Sequence, residues 1–193
     1  METREQILAA ARAAFDRDGP EGLSMRDISK EVGVTPMAIY RHYENKQALI
    51  DALVLDALNE WSQIVAAIPP APPLEWLRDI GIAHLDFALR KPRRYEAAFL
   101  THTTKARRYP DDFVAGQSPA GALQLRLIEE LMAQGVLKAS SPVEVLVTNA
   151  ALSQGLITLY RAGRIAGGET EFRELYLRAT ARSTQAFIRE RQT

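Results

Sequence analysis

A chain of 193 residues, 47% of them hydrophobic, is long enough to bury a sizeable core, and its lack of cysteine excludes disulfides, thiolate catalysis and cysteine-based metal sites. Twenty-four basic residues balance 24 acidic ones. That neutrality excludes a generally sticky polyelectrolyte and leaves any nucleic-acid contact to the local placement of charge. The first residues show no basic segment followed by an apolar run, so no signal peptide is predicted. The most apolar stretch, 143–160, carries Glu144, Asn149 and Gln154 and reads as a buried helix, not a membrane span, so a cytoplasmic protein is expected.

Thr3 with Gln6 predicts a capped start to a first helix. Its apolar stripe is Ile7, Leu8, Ala11, Ala14 and Phe15, and it runs to about Arg17 before Gly19-Pro20 ends it. Ser24, with Asp27 three residues on, predicts the cap of a second helix whose apolar positions are Met25, Ile28 and Val32. Gly33 can take the positive φ that closes a helix. Thr35 can cap the next one, and Pro36 falls at its first position, where a missing N–H costs nothing. Ile39 and Tyr43 are four apart and share one face as candidate core. Thr35, Pro36, Met37, Tyr40, Arg41 and His42 remain on the other side, an aromatic, basic and hydrogen-bonding surface. Helix, glycine turn, helix is the helix-turn-helix pattern, whose second helix enters the DNA major groove. Residues 1–46 hold seven Lys/Arg and eight Asp/Glu, a net of −1. Most of the acids fall on the first helix and its exit, whereas 33–46 sets Arg41 and Lys46 against Glu44.

Asn45 is a plausible cap for a fourth helix. Leu49, Ile50, Leu53, Ala57, Leu58, Trp61, Ile64 and Val65 carry its stripe for about twenty residues, roughly 30 Å of rod. The proline-rich run 68–73 stops it as a short stiff loop. A fifth helix presents Leu77, Ile80, His84 and Phe87 on one face and ends at Lys91-Pro92. A sixth, 93–102, aligns Tyr95, Ala98, Phe99 and His102. Residues 103–118 read as an irregular loop with room for a short helical turn. A seventh helix spans 119–134, and Gly135 stops it. The eighth opens at Ser141-Pro142 and is apolar nearly all round, and the ninth covers about 171–189. A helix apolar on every side must be covered on every side, either by its own chain or by a second copy. The fold class is therefore all-α with about nine helices. No Gly-rich phosphate loop, metal cluster or convincing nucleophile–base pair is found, and no cofactor is predicted.

The run Thr35-Pro-Met-Ala-Ile-Tyr-Arg-His-Tyr-Glu-Asn-Lys-Gln-Ala-Leu-Ile-Asp-Ala-Leu resembles the recognition helix and following linker helix of TetR-family transcriptional regulators. The family's hydrophobic–Tyr–x–His/Tyr–aromatic run, lysine and apolar helix fall here at Ile39, Tyr40, His42, Tyr43, Lys46 and Leu49, and Ile7 to Phe15 and Gly22 to Ile28 are similar to its first two helices. The resemblance covers about residues 4–55; beyond that it rests on length and helical content. It implies a three-helix DNA-binding domain, 1–46, and a helical ligand-binding and dimerisation domain, 47–193. It implies phosphate contacts by Tyr40, His42 and Lys46, with Thr35 adding its hydroxyl. Arg26, Pro36, Met37 and Arg41 are then the base-reading candidates, since arginine pairs bidentately with guanine and apolar atoms meet the thymine methyl. Ala38 and Met37 depart from the family's usual choices, which leaves the operator sequence open.

The same resemblance implies a homodimer through the last two long helices on a roughly palindromic double-stranded operator. It also implies a small-molecule effector held among the middle helices, with Trp61, His84, Phe87, Tyr95, Phe99, His102, Asn149 and Tyr160 as candidates. Two histidines without carboxylates at ligand spacing do not make a metal site. The function expected is a ligand-responsive regulator, most simply a repressor and not an enzyme. The alternative is an all-helical enzyme or scaffold without DNA binding.

Overall fold

Every regular element is helical among the residues described by the computed structural model, 2–138 and 140–189. The helices are α1 (Thr3–Asp18), α2 (Met25–Val32), α3 (Pro36–Tyr40), α4 (Lys46–Ala66), α5 (Pro73–Arg90), α6 (Pro92–Phe99), α7 (Asp111–Val114), α8 (Pro119–Ala133), α9 (Pro142–Arg161) and α10 (Glu169–Phe187). A single 3-10 turn, Pro20–Gly22, follows α1. The tenth helix, beyond the nine expected, is the one-turn α7 inside the irregular 103–118 stretch.

The predicted caps form where short polar side chains precede a helix. Ser24, Thr35 and Ser141 accept from the backbone N–H groups of Asp27, Ala38 and Glu144, Asn45 accepts from Ala48 at 2.8 Å, and Ser118, a cap not predicted, accepts from Gly121. The start of α1 differs from expectation. Its cap is Glu2, whose N–H donates to the Glu5 carboxylate at 3.2 Å, and Thr3 is already helical. A glutamate at the third helical position reaches back as well as a glutamine would, one register earlier. The sixth helix also ends sooner than its stripe predicts, at Phe99, so His102 lies outside it.

Two compact units divide the chain, residues 1–61 with 90–106 and residues 62–89 with 107–193. In the first, α1 packs against α2 and the 3-10 turn, α2 packs against α3, and α1 also touches α6. Ile7, Ala11, Phe15, Ile28, Ile39, Tyr43, Leu49, Leu53 and Tyr95 are buried there. In the second, α9 packs against both α8 and α10. Leu125, Ile128, Leu131, Leu137, Val145 and Leu146 form its central apolar cluster. The chain leaving α8 pairs with the end of α10, Lys138 N–H donating to Phe187 and Arg189 N–H to Val136, at 2.8 and 2.9 Å. No helix among the described residues is long and apolar enough to cross a membrane.

Gly33 closes α2 in the left-handed region, φ 76°. A Cβ there would meet nothing within 4 Å, so the cost of a side chain is purely the backbone conformation. Gly33→Ala is expected to lower stability by about 1–2 kcal/mol, measured as a shift in the urea midpoint at unchanged m-value.

Candidate nucleic-acid interface

The α2–α3 unit separates its two faces cleanly. Ile39 is fully buried and Tyr43, just past the end of α3, is nearly so, its hydroxyl donating to the Arg4 carbonyl at 3.3 Å. The Arg4 guanidinium stands 5.3 Å from the Tyr43 ring centre. With that side anchored, helical geometry turns Thr35, Pro36, Met37, Tyr40, Arg41 and His42 outward, and all six are exposed. Met37 is 68% exposed and Tyr40 47%. Arg26 on α2 and Lys46 at the start of α4 are exposed as well, so every residue predicted to touch DNA is accessible. Met37 and Tyr40 are the large apolar and aromatic side chains that this face leaves in water. They sit on a short capped helix with Arg41 beside them, and arginine and apolar atoms are the side-chain chemistry that base-edge readout uses.

Charge braces this head from behind. Arg94 on α6 is only 8% exposed. Its Nε donates to Glu60 at 2.7 Å and its Nη2 to Asp56 at 2.6 Å, both acids on α4. The remaining oxygens of those carboxylates take Arg12 of α1 and Lys91, each at 2.7 Å. Burial pushes the Glu60 carboxyl up, but the hydrogen bonds from Lys91 and Arg94 outweigh it and hold the group below its ordinary range. Beside this network lies a cleft of about 470 Å³ lined mainly by charged side chains, Arg12, Asp16 and Glu60 among them. Its polarity is wrong for an apolar effector chamber. Farther down α4, burial likewise opposes ionisation of Asp51, but bonds from Thr104, Thr103 and Gln47 prevail and set its pKa at about 2. None of these partners is legible in the sequence, because each lies 31 or more residues from the acid it binds, apart from Gln47 four residues before Asp51.

The candidate effector residues divide between the units. In the first, Trp61 meets Phe99 edge-on at 6.0 Å, Phe99 lies 5.1 Å from Tyr95, and His102 is exposed. In the second, Phe87 is buried, Tyr160 stacks on Phe172 at 4.0 Å, and Asn149 accepts from the Ser183 hydroxyl at 2.8 Å. His84 enters a buried chain that sequence reading missed. Its Nδ1 lies 2.9 Å from Ser153 Oγ, which lies 2.5 Å from the Tyr176 hydroxyl, which donates to the Gly81 carbonyl at 3.0 Å. A carbonyl only accepts, so the order of donors is fixed: His84 Nδ1–H to Ser153, Ser153 to Tyr176, Tyr176 to Gly81. Trp76, also missed, keeps a buried indole N–H with no partner among the described residues. Among those residues no group of three or more His, Cys, Asp and Glu could hold a metal ion.

Comparison with known proteins bears on this geometry. Residues 7–53 match the family described as "Bacterial regulatory proteins, tetR family", and residues 77–183 match "Tetracyclin repressor-like, C-terminal domain". The chain belongs to the TetR family. Among curated relatives, the uncharacterised HTH-type transcriptional regulator YobS of Bacillus subtilis is 29% identical over 51% of this chain and 52% of its own. The HTH-type transcriptional regulator TtgR of Pseudomonas putida is 48% identical over 31% of this chain and 28% of its own. The chain thus spans about half the length, or less, of these curated relatives. A Rhodococcus protein of unknown function shares the fold nearly end to end, with TM-score 0.76 and 21% identity over 98% of this chain and 96% of that one.

Burial alone brings the His84 pKa down to about 4 from an ordinary 6.5, so the folded protein holds it neutral. Unfolding frees the ring to take a proton. This contribution to stability is therefore complete above pH 6.5 and is lost as pH falls toward 4. Urea midpoints at pH ~7.5 and ~5 should differ less in His84→Gln than in the parent protein.

Proposed function

We propose that the protein is a ligand-responsive transcriptional repressor that binds a roughly palindromic DNA operator as a homodimer. The observation that carries this reading is the exposed Met37–Tyr40–Arg41 face on a helix whose opposite side is locked into the core. Residues 1–46 act as the DNA-binding domain and 47–193 as the ligand-binding and dimerisation domain, working in the cytoplasm, where its operator lies. Tyr40, His42, Lys46 and Thr35 hold phosphates and set the register. Arg26, Pro36, Met37 and Arg41 face the bases, Arg41 suited to a guanine and Met37 to a thymine methyl. Membership of a family of regulators supports this over enzyme or scaffold readings.

Two copies meet through α9 and α10. One side of each helix lacks cover in the single chain: Ala151, Gly155, Thr158 and Leu159 on α9, and Leu177 and Ala181 on α10, are exposed. Small residues interspersed with leucine let helices of two copies approach closely, and a two-fold axis makes the contact isologous. Recognition helices related by that axis read half-sites about 34–36 Å apart, or a multiple of that distance.

The effector, a small and largely apolar molecule, binds within 47–193, where the buried indole N–H of Trp76 offers a donor. It acts through unequal affinity for two states of the protein. Movement of α6 reaches α4 and α1 through Arg94, Asp56 and Arg12, because a nearly buried guanidinium cannot leave two carboxylates without a large desolvation penalty.

Binding to duplex DNA that weakens steeply with salt tests the reading, since an enzyme or scaffold would lack it. Tyr40→Ala and Lys46→Ala should each weaken binding by about tenfold on every duplex tried, and full-strength binding of either in a gel-shift titration would remove the phosphate assignment. Leu159→Asp with Leu177→Asp should convert the dimer to monomer in light scattering; a variant that remains dimeric places the interface elsewhere.

A further inference from the structure

The loop after α6 has no role in the reading above, yet it is fastened to α4 more tightly than a connector needs. Asp51 Oδ2 accepts from the Thr104 hydroxyl at 2.6 Å. Its Oδ1 accepts from the Thr103 hydroxyl at 2.7 Å, from Gln47 at 2.9 Å and from the Thr104 N–H at 3.3 Å. The Thr103 hydroxyl also accepts the N–H of Lys105 at 3.1 Å, fixing the backbone of the next residue. The attachments follow an order. Lys91 and Arg94 hold Glu60, Arg94 also holds Asp56, and Thr103 and Thr104 hold Asp51. From Lys91 onward the chain therefore descends α4 toward its first residue, Lys46, the end assigned to DNA.

Asp51 lies five residues, about 8 Å of helix rise, from Lys46. Lys105 is exposed and makes no ion pair among the described residues, and 101–106 contains no acid. A lysine carries its charge on a flexible four-carbon stem, and the Debye length at moderate salt is ~10 Å. A phosphate held by Lys46 therefore places the neighbouring backbone phosphates within the field of Lys105. An ionised Asp51 so near DNA would by itself repel it. The adjacent Lys105 offsets that charge, and the four bonds hold both carboxylate oxygens against the loop and Gln47.

The geometry points to the 103–105 segment as an additional DNA-backbone contact, with Lys105 meeting a phosphate outside the bases faced by α3. This rests on the DNA-binding reading and adds a contact from beyond the helix-turn-helix. Such a contact contributes affinity and register without reading sequence.

The test is the salt dependence of duplex binding, by fluorescence anisotropy, for the full-length protein, Lys105→Gln, Lys105→Arg and Arg126→Gln. Arg126 is an exposed residue of the other compact unit and controls for net charge. Loss of one phosphate contact lowers the slope of log K against log salt by about 0.9. Between 50 and 200 mM salt the affinity of Lys105→Gln should then fall roughly threefold less than that of the parent. Lys105→Arg should restore the parent slope, and Arg126→Gln should keep it. A Lys105→Gln slope equal to the parent's, or an equal drop in Arg126→Gln, overturns this contact while leaving the regulator reading intact. A parent protein without salt-dependent duplex binding overturns both.

Discussion

A helix of five residues cannot hold itself together in water, since one turn fixes several dihedrals for a single hydrogen bond. α3 exists because Ile39 and Tyr43 are sunk into the core beside it, and Thr35 and Pro36 settle its first turn. That anchorage decides orientation as well as existence. Once the Ile39–Tyr43 side faces inward, the 3.6-residue repeat leaves the Met37, Tyr40 and Arg41 side chains facing solvent, and a rigid platform displays them at small entropic cost on binding. A looser helix would carry the same residues but would spend much of its contact energy on ordering them.

Local signals made the head readable from sequence. Caps, a closing glycine and apolar spacing act within four or five residues, and Ser24, Gly33, Thr35, Pro36 and Ile39 all behave as those rules predict. The same rules misplaced the start of α1 by one residue, because two glutamates could make the bond assigned to a threonine and a glutamine. What pattern could not supply were pairings across the chain. Arg94 with Asp56 and Glu60, and His84 with Ser153 and Tyr176, join residues 23 to 69 positions apart on different helices. The effector candidates are aromatic or polar residues on apolar faces, a property that core and pocket share.

The two polar assemblies do different physical jobs. The Arg94 group is charged, and its three cations and two acids leave each carboxylate oxygen occupied. Such a network adds little net stability over apolar packing but penalises any alternative arrangement heavily. It fixes which turn of α6 sits against which turn of α4. The His84 group is neutral, and its strength comes from having every donor matched in one direction in a dry interior. One favours discrete positions; the other resists proton uptake.

The short backbone pairing between the exit of α8 and the end of α10 bears on how the second unit opens. Helix ends ordinarily fray on their own. Here the final turn of α10 is stitched to Val136 and Lys138, so releasing it also frees the strand-like exit of α8 beside Leu137, a member of the central apolar cluster. Amide protons on both sides of that stitch should therefore belong to one cooperative exchange unit, and α10 keeps its last turn instead of dissolving early.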